Sequence, residues 1–444
     1  MNNLKEKLLL HGVFPFAERF VGTNAYYWYQ QICNMNKWTP QQIEKWQNER
    51  LNALVKHVYE HTVYYRNMFD DLGLKPTDIQ TAADLHKIPI MTKEIANVHF
   101  AEIVPSNLHE YHYRDGKTGG TTGEPMFYHC DENTWGYVTA AKIYAWKTMS
   151  YRYGDAFAAM GSASLFGKKM PFVRRIYDWI RNEIPMNTVN LTDELCKKYV
   201  QVIIEKKIRY IYGYAASIYI FTQYVHVHNI NLTQIEGVFS TSENMTDEYR
   251  ELIEQTYQCH VMDCYGARDA GITAYEIERH CYHVGYNAIA EIINPIEKNT
   301  GSIITTNLLN YSFPLLRYQF GDEAELSPIR GGNNNYNGQT IKRILGRTSD
   351  VMRMENGHNM TATGFSMIMK DFDIKAFSFN KTGVNEISLT IQPIEGKFTT
   401  KQEKEIRRVI SLYIGSDATL HIEYIDHFNP LANGKRHYFM NKII

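Results

Sequence analysis

From about residue 100 to residue 345, short apolar runs alternate with stretches of helical periodicity, and this alternation narrows the fold more than any other feature of the chain. The runs include Ala156–Met160, Tyr210–Tyr212, Gly237–Ser240, His260–Cys264 and Ser302–Thr306; Thr192–Glu205 and Asp247–Thr256 are helical stretches among them. Such a pattern layers helices on a sheet, so an α/β fold with at least partly parallel pairing is expected. Upstream, Thr39-Pro40 starts a helix, with Ile43, Trp46, Leu51, Leu54, Val55 and Val58 at helical spacing. After Asp350 the texture changes to short alternating runs (Ala376–Asn380, Glu386–Gln392, Leu420–Ile425) around an amphipathic helix, Lys401–Leu412, whose Ile406, Val409 and Ile410 face one way. This reads as a small α+β domain, and 444 residues are too many for one core.

Charge excludes some functions. With 47 basic and 48 acidic side chains the net charge is -1, which gives no general electrostatic reason to bind nucleic acid or an anionic membrane. The best candidate for a membrane span, around Tyr210–Val227, is broken by polar side chains, so no integral membrane segment is expected. Six cysteines without a CxxC pair do not make a disulfide framework. With no secretory signal visible, the expected location is cytoplasmic.

The strongest local motif is Thr118-Gly119-Gly120-Thr121-Thr122-Gly123-Glu124-Pro125, a loop whose backbone N–H groups and hydroxyls can approach a polyphosphate. It is not a P-loop: Gly116-Lys117-Thr118 imitates the end of one, but Tyr111 stands where the first glycine is needed. By itself the motif is equally well a plain Gly/Thr turn. Downstream stand Tyr265-Gly266-Ala267-Arg268-Asp269, Arg317-Tyr318-Gln319-Phe320-Gly321-Asp322, Gly346-Arg347-Thr348-Ser349-Asp350 and Asn433-Gly434-Lys435.

These five motifs, in this order, resemble the core motifs of the adenylate-forming superfamily of acyl-CoA synthetases, adenylation domains and luciferases. Leu54-Val55-Lys56-His57-Val58-Tyr59, Tyr64-Tyr65-Arg66 and Leu85-His86-Lys87-Ile88-Pro89-Ile90-Met91-Thr92-Lys93 are similar to the phenylacetate–CoA ligase-like branch, in particular its CapK capsular-polysaccharide subgroup. The resemblance covers roughly residues 50 to 440. It implies an N-terminal ATP- and acyl-binding domain with mixed sheets and helices (residues 1–348) and a small mobile C-terminal α+β domain (residues 349–444) hinged at Ser349 and Asp350. It further implies ATP and Mg2+ as cofactors and a small carboxylic acid as substrate. The acceptor would be a thiol, amine or hydroxyl, as of CoA, a carrier protein or a sugar.

Carried over residue by residue, the resemblance assigns Thr118, Gly119, Gly120, Thr121, Thr122, Gly123 and Arg268 to the ATP phosphates. Ser242, Glu243, Tyr265, Gly266, Asp322 and Arg347 fall to adenine and ribose. Asp269 takes the place of the usual magnesium-binding Glu, and Lys435 is the catalytic lysine of adenylation. Glu124 departs from the lysine common at its position, so a compensating cation, Lys117 or Arg268, is expected. Tyr214, Ala215, Ser217, Gly271 and Ile272 are candidates for the acyl pocket. Some relatives carry a structural metal near Cys264, His280, Cys281 and His283. Here the Cys264–His280 interval does not match a standard zinc spacing, and zinc is not expected. The rival function is a non-catalytic nucleotide-binding scaffold, suggested by Glu124, Arg268 and Asp269; retention of Asp322, Arg347 and Lys435 argues against it.

Overall fold

The computed structural model describes residues 2–118, 126–161, 180–188, 191–243, 245–297, 299–327, 336–344, 351–353, 359–361, 368–369, 372–383, 385–414, 418–426 and 439–440. Two units can be separated. The first comprises Met1–Lys117, Met126–Gly154 and Met262–Arg347; the second comprises Thr118–Pro125, Asp155–Val261 and Thr348–Ile444. In chain order the first strands are β1 (Met91–Thr92), β2 (Tyr113–Lys117), β3 (Phe127–Asp131), β4 (Phe157–Gly161), β5 (Glu183–Asn187), β6 (Tyr210–Tyr214) and β7 (Gly237–Thr241). Then follow β8 (His260–Ala267), β9 (Ile272–Glu278), β10 (Cys281–Val284), β11 (Ala288–Glu297), β12 (Thr300–Asn307), β13 (Tyr318–Ser327) and β14 (Thr340–Ile344).

The first unit opens with helices. Pro40–His61 begins with a capping box: Thr39 Oγ1 accepts from Gln42 N–H at 3.3 Å, and Gln42 Oε1 accepts from Thr39 N–H at 2.9 Å. Its Ile43, Leu51, Leu54, Val55 and Val58 are buried, as the spacing predicts, and Trp46 packs beside the core. The sheet of this unit runs β11-β12-β13-β14-β10-β9-β8, antiparallel along that path, and β1 adds to β13 in parallel. Hairpin β2–β3 stands apart from it.

The second unit holds the parallel part of the expected α/β pattern. Strands β7-β6-β4-β5 pair in parallel, and helices Asp193–Glu205, Ala215–Val227 and Asp247–Tyr257 share an apolar core with them. Its last stretch has a separate core. Strands Ile374–Lys381, Glu386–Pro393 and Thr419–Tyr424 surround helix Thr400–Ile414, whose Ile406 and Ile410 are fully buried. The mixed α/β class read from the sequence is therefore the class of the molecule. The antiparallel half is the part that the alternation did not foretell, because β8 to β11 follow one another through short turns and, among the described residues, no helix interrupts β8 to β14.

Candidate functional site

The best-defined side chain of the site is Asp322, and a fault in a strand ladder positions it. On β12–β13, Ser302 faces Glu323 but Ile304 faces Gln319, so Phe320, Gly321 and Asp322 together oppose the single residue Ile303. A bulge of this kind bends the strand and re-aims its side chains. Gly321 turns the bulge with φ +91, where a residue with a Cβ is strained. Asp322 is buried, and its Oδ2 accepts a hydrogen bond from the Tyr265 hydroxyl at 3.0 Å.

Tyr265 lies on β8, in register with Ala274 of β9. Between those strands the chain reverses at Arg268–Gly271, closed by Gly271 N–H donating to Arg268 O at 3.3 Å. Gly271 has φ +64, and a Cβ there would lie 2.1 Å from Asn307 Nδ2, so this turn needs glycine for conformation and for space. Asp269 Oδ2 accepts from the Tyr318 hydroxyl at 2.9 Å. Burial, reinforced by the Asp269 carboxylate, pushes the Tyr318 phenol well above its ordinary range, which keeps it a neutral donor. Tyr265–Asp322 and Tyr318–Asp269 thus tie two separated sequence motifs together twice. The Arg268 guanidinium stands 5.2 Å from the centre of the Trp135 ring, and Arg114 stands 5.3 Å from the same ring.

Arg317 has a different task. It is nearly buried with φ +51, its Nε donates to both Glu291 oxygens at 3.1 and 3.2 Å, and its Nη1 donates to Ile88 O at 2.7 Å. It therefore clamps the Ile88–Met91 segment to the sheet and holds the start of β13.

In the second unit, Ser242 has φ +66 and leads into the buried Glu243, whose Oε2 accepts from Ala216 N–H at 2.9 Å. That N–H belongs to the first turn of helix Ala215–Val227, whose N-cap residue Tyr214 makes no side-chain cap of its own. Glu243 supplies the missing acceptor and sits favourably at the helix N-terminus. The residues read as adenine-lining (Ser242, Glu243) and those read as acyl-pocket (Tyr214, Ala215, Ser217) are thereby neighbours.

The cysteine–histidine group is spread over two strands, β8 and β10, and the turn before β10. Cys264 and His283 both register with Tyr275 from opposite sides, so two strand spacings, roughly 10 Å, separate them. Cys264 is buried, His283 stacks on Tyr336 at 4.0 Å, and His280 sits in a turn at φ +60. Burial lowers His283 to about 4. Among the described residues no group of three or more His, Cys, Asp or Glu is arranged to hold a metal ion. Lys117 Nζ lies 5.5 Å from the Phe127 ring centre on hairpin β2–β3. Thr118 is half-buried; Gly119, Gly120, Thr121, Thr122, Gly123, Glu124, Arg347, Ser349, Asp350 and Lys435 lie outside the described residues. Sequence reading missed Trp135, Arg114 and the donor role of Tyr318. Only Tyr318 carried a signal, being adjacent to Arg317 inside a recognised motif.

No family profile matches the chain. Two relatives span it almost end to end. CapK of Staphylococcus aureus is 21% identical over 89% of each chain, and phenylacetate-coenzyme A ligase of Pseudomonas putida is 23% identical over 86% of this chain and 90% of its own. Along most of its length the chain is thus similar to the phenylacetate–CoA ligase-like and CapK branch of the adenylate-forming superfamily. Solved structures agree on the fold. 2-Hydroxyisobutyryl-CoA ligase in complex with 2-HIB-AMP and CoA superposes with TM-score 0.58 at 15% identity, covering 91% of both chains. The same ligase in its postadenylation state gives 0.57 over 92% of this chain and 91% of its own.

Proposed function

We propose that this adenylate-forming ligase activates a small carboxylic acid with ATP and passes the acyl group to the thiol of CoA. In the first half-reaction a carboxylate oxygen attacks the α-phosphorus of ATP and pyrophosphate leaves, giving acyl-AMP. In the second the thiol attacks the acyl carbonyl and AMP leaves. The observation that carries this reading is the double tie between Tyr265–Asp269 and Tyr318–Asp322, which gathers a ribose-type acceptor, a carboxylate for a cation and a guanidinium in one unit.

Asp322 accepts from the ribose hydroxyls, its orientation fixed by the Tyr265 hydroxyl. Arg268, held at the face of Trp135, attracts the phosphates and offsets the missing lysine at Glu124. Asp269 fits Mg2+: it offers a hard carboxylate oxygen on a half-buried turn, and this ion ordinarily takes only one or two carboxylates besides phosphate and water. Bound there, Mg2+ supplies charge neutralisation at the phosphate oxygens. Ser242, Glu243 and Gly266 line the base. Tyr214, Ala215, Ser217, Gly271 and Ile272 shape the acyl site, and Gly119–Gly123 with Thr118 and Arg347 complete the nucleotide site. Lys435, on a C-terminal domain of residues 349–444 that turns about Ser349 and Asp350, stabilises the charge built up during adenylation.

Pyrophosphate exchange into ATP, run over a panel of carboxylic acids, tests the reading. Exchange that depends on one acid and falls about a hundredfold in Lys435→Ala is expected, the loss typical of removing a group that stabilises transition-state charge. ATP binding without exchange on any acid would favour the scaffold function instead. Likeness to CapK along the whole chain favours a second reading, in which a surface glycan hydroxyl or amine replaces CoA as acceptor. Acyl-AMP that is discharged by sugars and not by CoA distinguishes the two.

A further inference from the structure

The N-terminal helical segment presents a feature that the ligase chemistry does not use. Helix Asn2–Leu8 continues through a π turn, Leu9–Val13, into helix Phe14–Val21. Leu4, Leu8, Phe16 and Phe20 on it are 75%, 64%, 62% and 65% exposed, among the most exposed large apolar side chains described. At about 100° per residue in the α turns and about 80° in the wider π turn, the four fall within an arc of about 60°. In an unbroken α-helix Phe16 would stand about 120° from Leu4, so the π turn is what aligns the stripe. Leu10 and Phe14 occupy the opposite side and are buried, Phe14 against Tyr153 with ring centres 4.9 Å apart.

The charges of the segment are sorted in the same way. Glu6 is turned inward to Lys147 at 3.0 Å, and the buried Glu18 accepts from Thr23 Oγ1 and Tyr26 N–H, each at 2.9 Å. Among the described residues of the segment the exposed ionisable side chains are Lys7, His11 and Arg19, all basic and all along one flank of the stripe. We infer that the face formed by Leu4, Leu8, Phe16 and Phe20, with Lys7 and Arg19 beside it, docks on an anionic phospholipid surface. Leucine and phenylalanine over a basic border are the composition of helices that lie in the plane of a bilayer interface. A second copy of the chain would bring the same cations against themselves, which disfavours this stripe as a self-contact. The surface is local and coexists with a net charge of -1 for the whole chain.

Co-sedimentation of the full chain with phosphatidylglycerol-rich vesicles, against phosphatidylcholine vesicles, tests the inference. Binding to the first and little to the second is expected. The double substitution Phe16→Ser with Phe20→Ser should lower the partition coefficient about tenfold or more, since two large apolar contacts leave the interface. Lys7→Ser with Arg19→Ser should flatten the dependence on salt. Thermal melting followed by circular dichroism checks that each variant is folded. Failure of the parent to bind anionic vesicles, or equal binding by the folded Phe16/Phe20 variant, overturns the inference. So does a dimer in light scattering that the same variant dissolves, which would make a second copy the occupant.

Discussion

Two carboxylates of the first unit differ in burial and in partners. Asp322 receives one phenolic hydrogen bond, so Tyr265→Phe should leave the carboxylate in place but less firmly oriented. Loss of a hydrogen bond to a charged group costs about 1.5 kcal/mol or more, so the KM for ATP should rise about tenfold with little change in melting temperature. Asp131 is more deeply buried, caps helix Glu132–Thr148 through Thr134 N–H at 3.0 Å, and accepts from Tyr311 N–H at 2.7 Å. Desolvation outweighs these bonds and raises its pKa to about 6. The folded state therefore holds this proton where the unfolded chain, at about 3.9, has already lost it. Stability from this group is fully present below that lower value and is lost as pH rises to about 6, a fall of up to about 3 kcal/mol. Urea titrations of the parent and Asp131→Asn from acid to neutral pH should show that slope in the parent and a flatter one in the variant.

Turns and bulges position the candidate site, and two glycines separate the reasons for glycine. Gly271→Ala adds steric overlap with Asn307 to an unfavourable φ, whereas Gly321→Ala meets nothing within 4 Å and suffers conformational strain alone. The Gly321 variant should lose about 1–2 kcal/mol and the Gly271 variant more, by calorimetric melting, with adenylation failing in both. At this scale the sequence was most legible where one periodicity held over a long stretch. Pro40–His61, Asp193–Glu205, β6, β7 and the helix around Ile406 and Ile410 all lie within a few residues of their expected places. The bulge at Phe320–Asp322 was not legible, because its register depends on Ile303 in another strand. The Tyr318–Asp269 bond was hidden for the same reason. Motif order identified both stretches but said nothing of the hydroxyl that joins them.

For the molecule as a whole, separate apolar cores imply separable responses to damage. Ile410→Ala empties part of the core shared by Ile406, Phe379 and Leu389, and should cost about 2–5 kcal/mol there. Hydrogen exchange should quicken on strands Ile374–Lys381 and Glu386–Pro393 while amides of Pro40–His61 keep their protection. Proline at Ser349 should slow thioester formation while leaving pyrophosphate exchange largely intact, if the C-terminal domain turns there between half-reactions. Class and family likeness were legible in the chain because both rest on patterns distributed along its length, whereas the pairing of β8 to β14 rests on contacts between strands. The extra pair of residues beside Asp322 also bears on how such a chain can lose its activity. Side chains alternate along a strand, so removing Phe320 and Gly321 together would close the ladder and leave every later residue of β13 on its present face. The shortened chain would keep its aspartate and its sheet but would no longer aim the one out of the other. A silent descendant of this ligase would then look, residue for residue, almost intact.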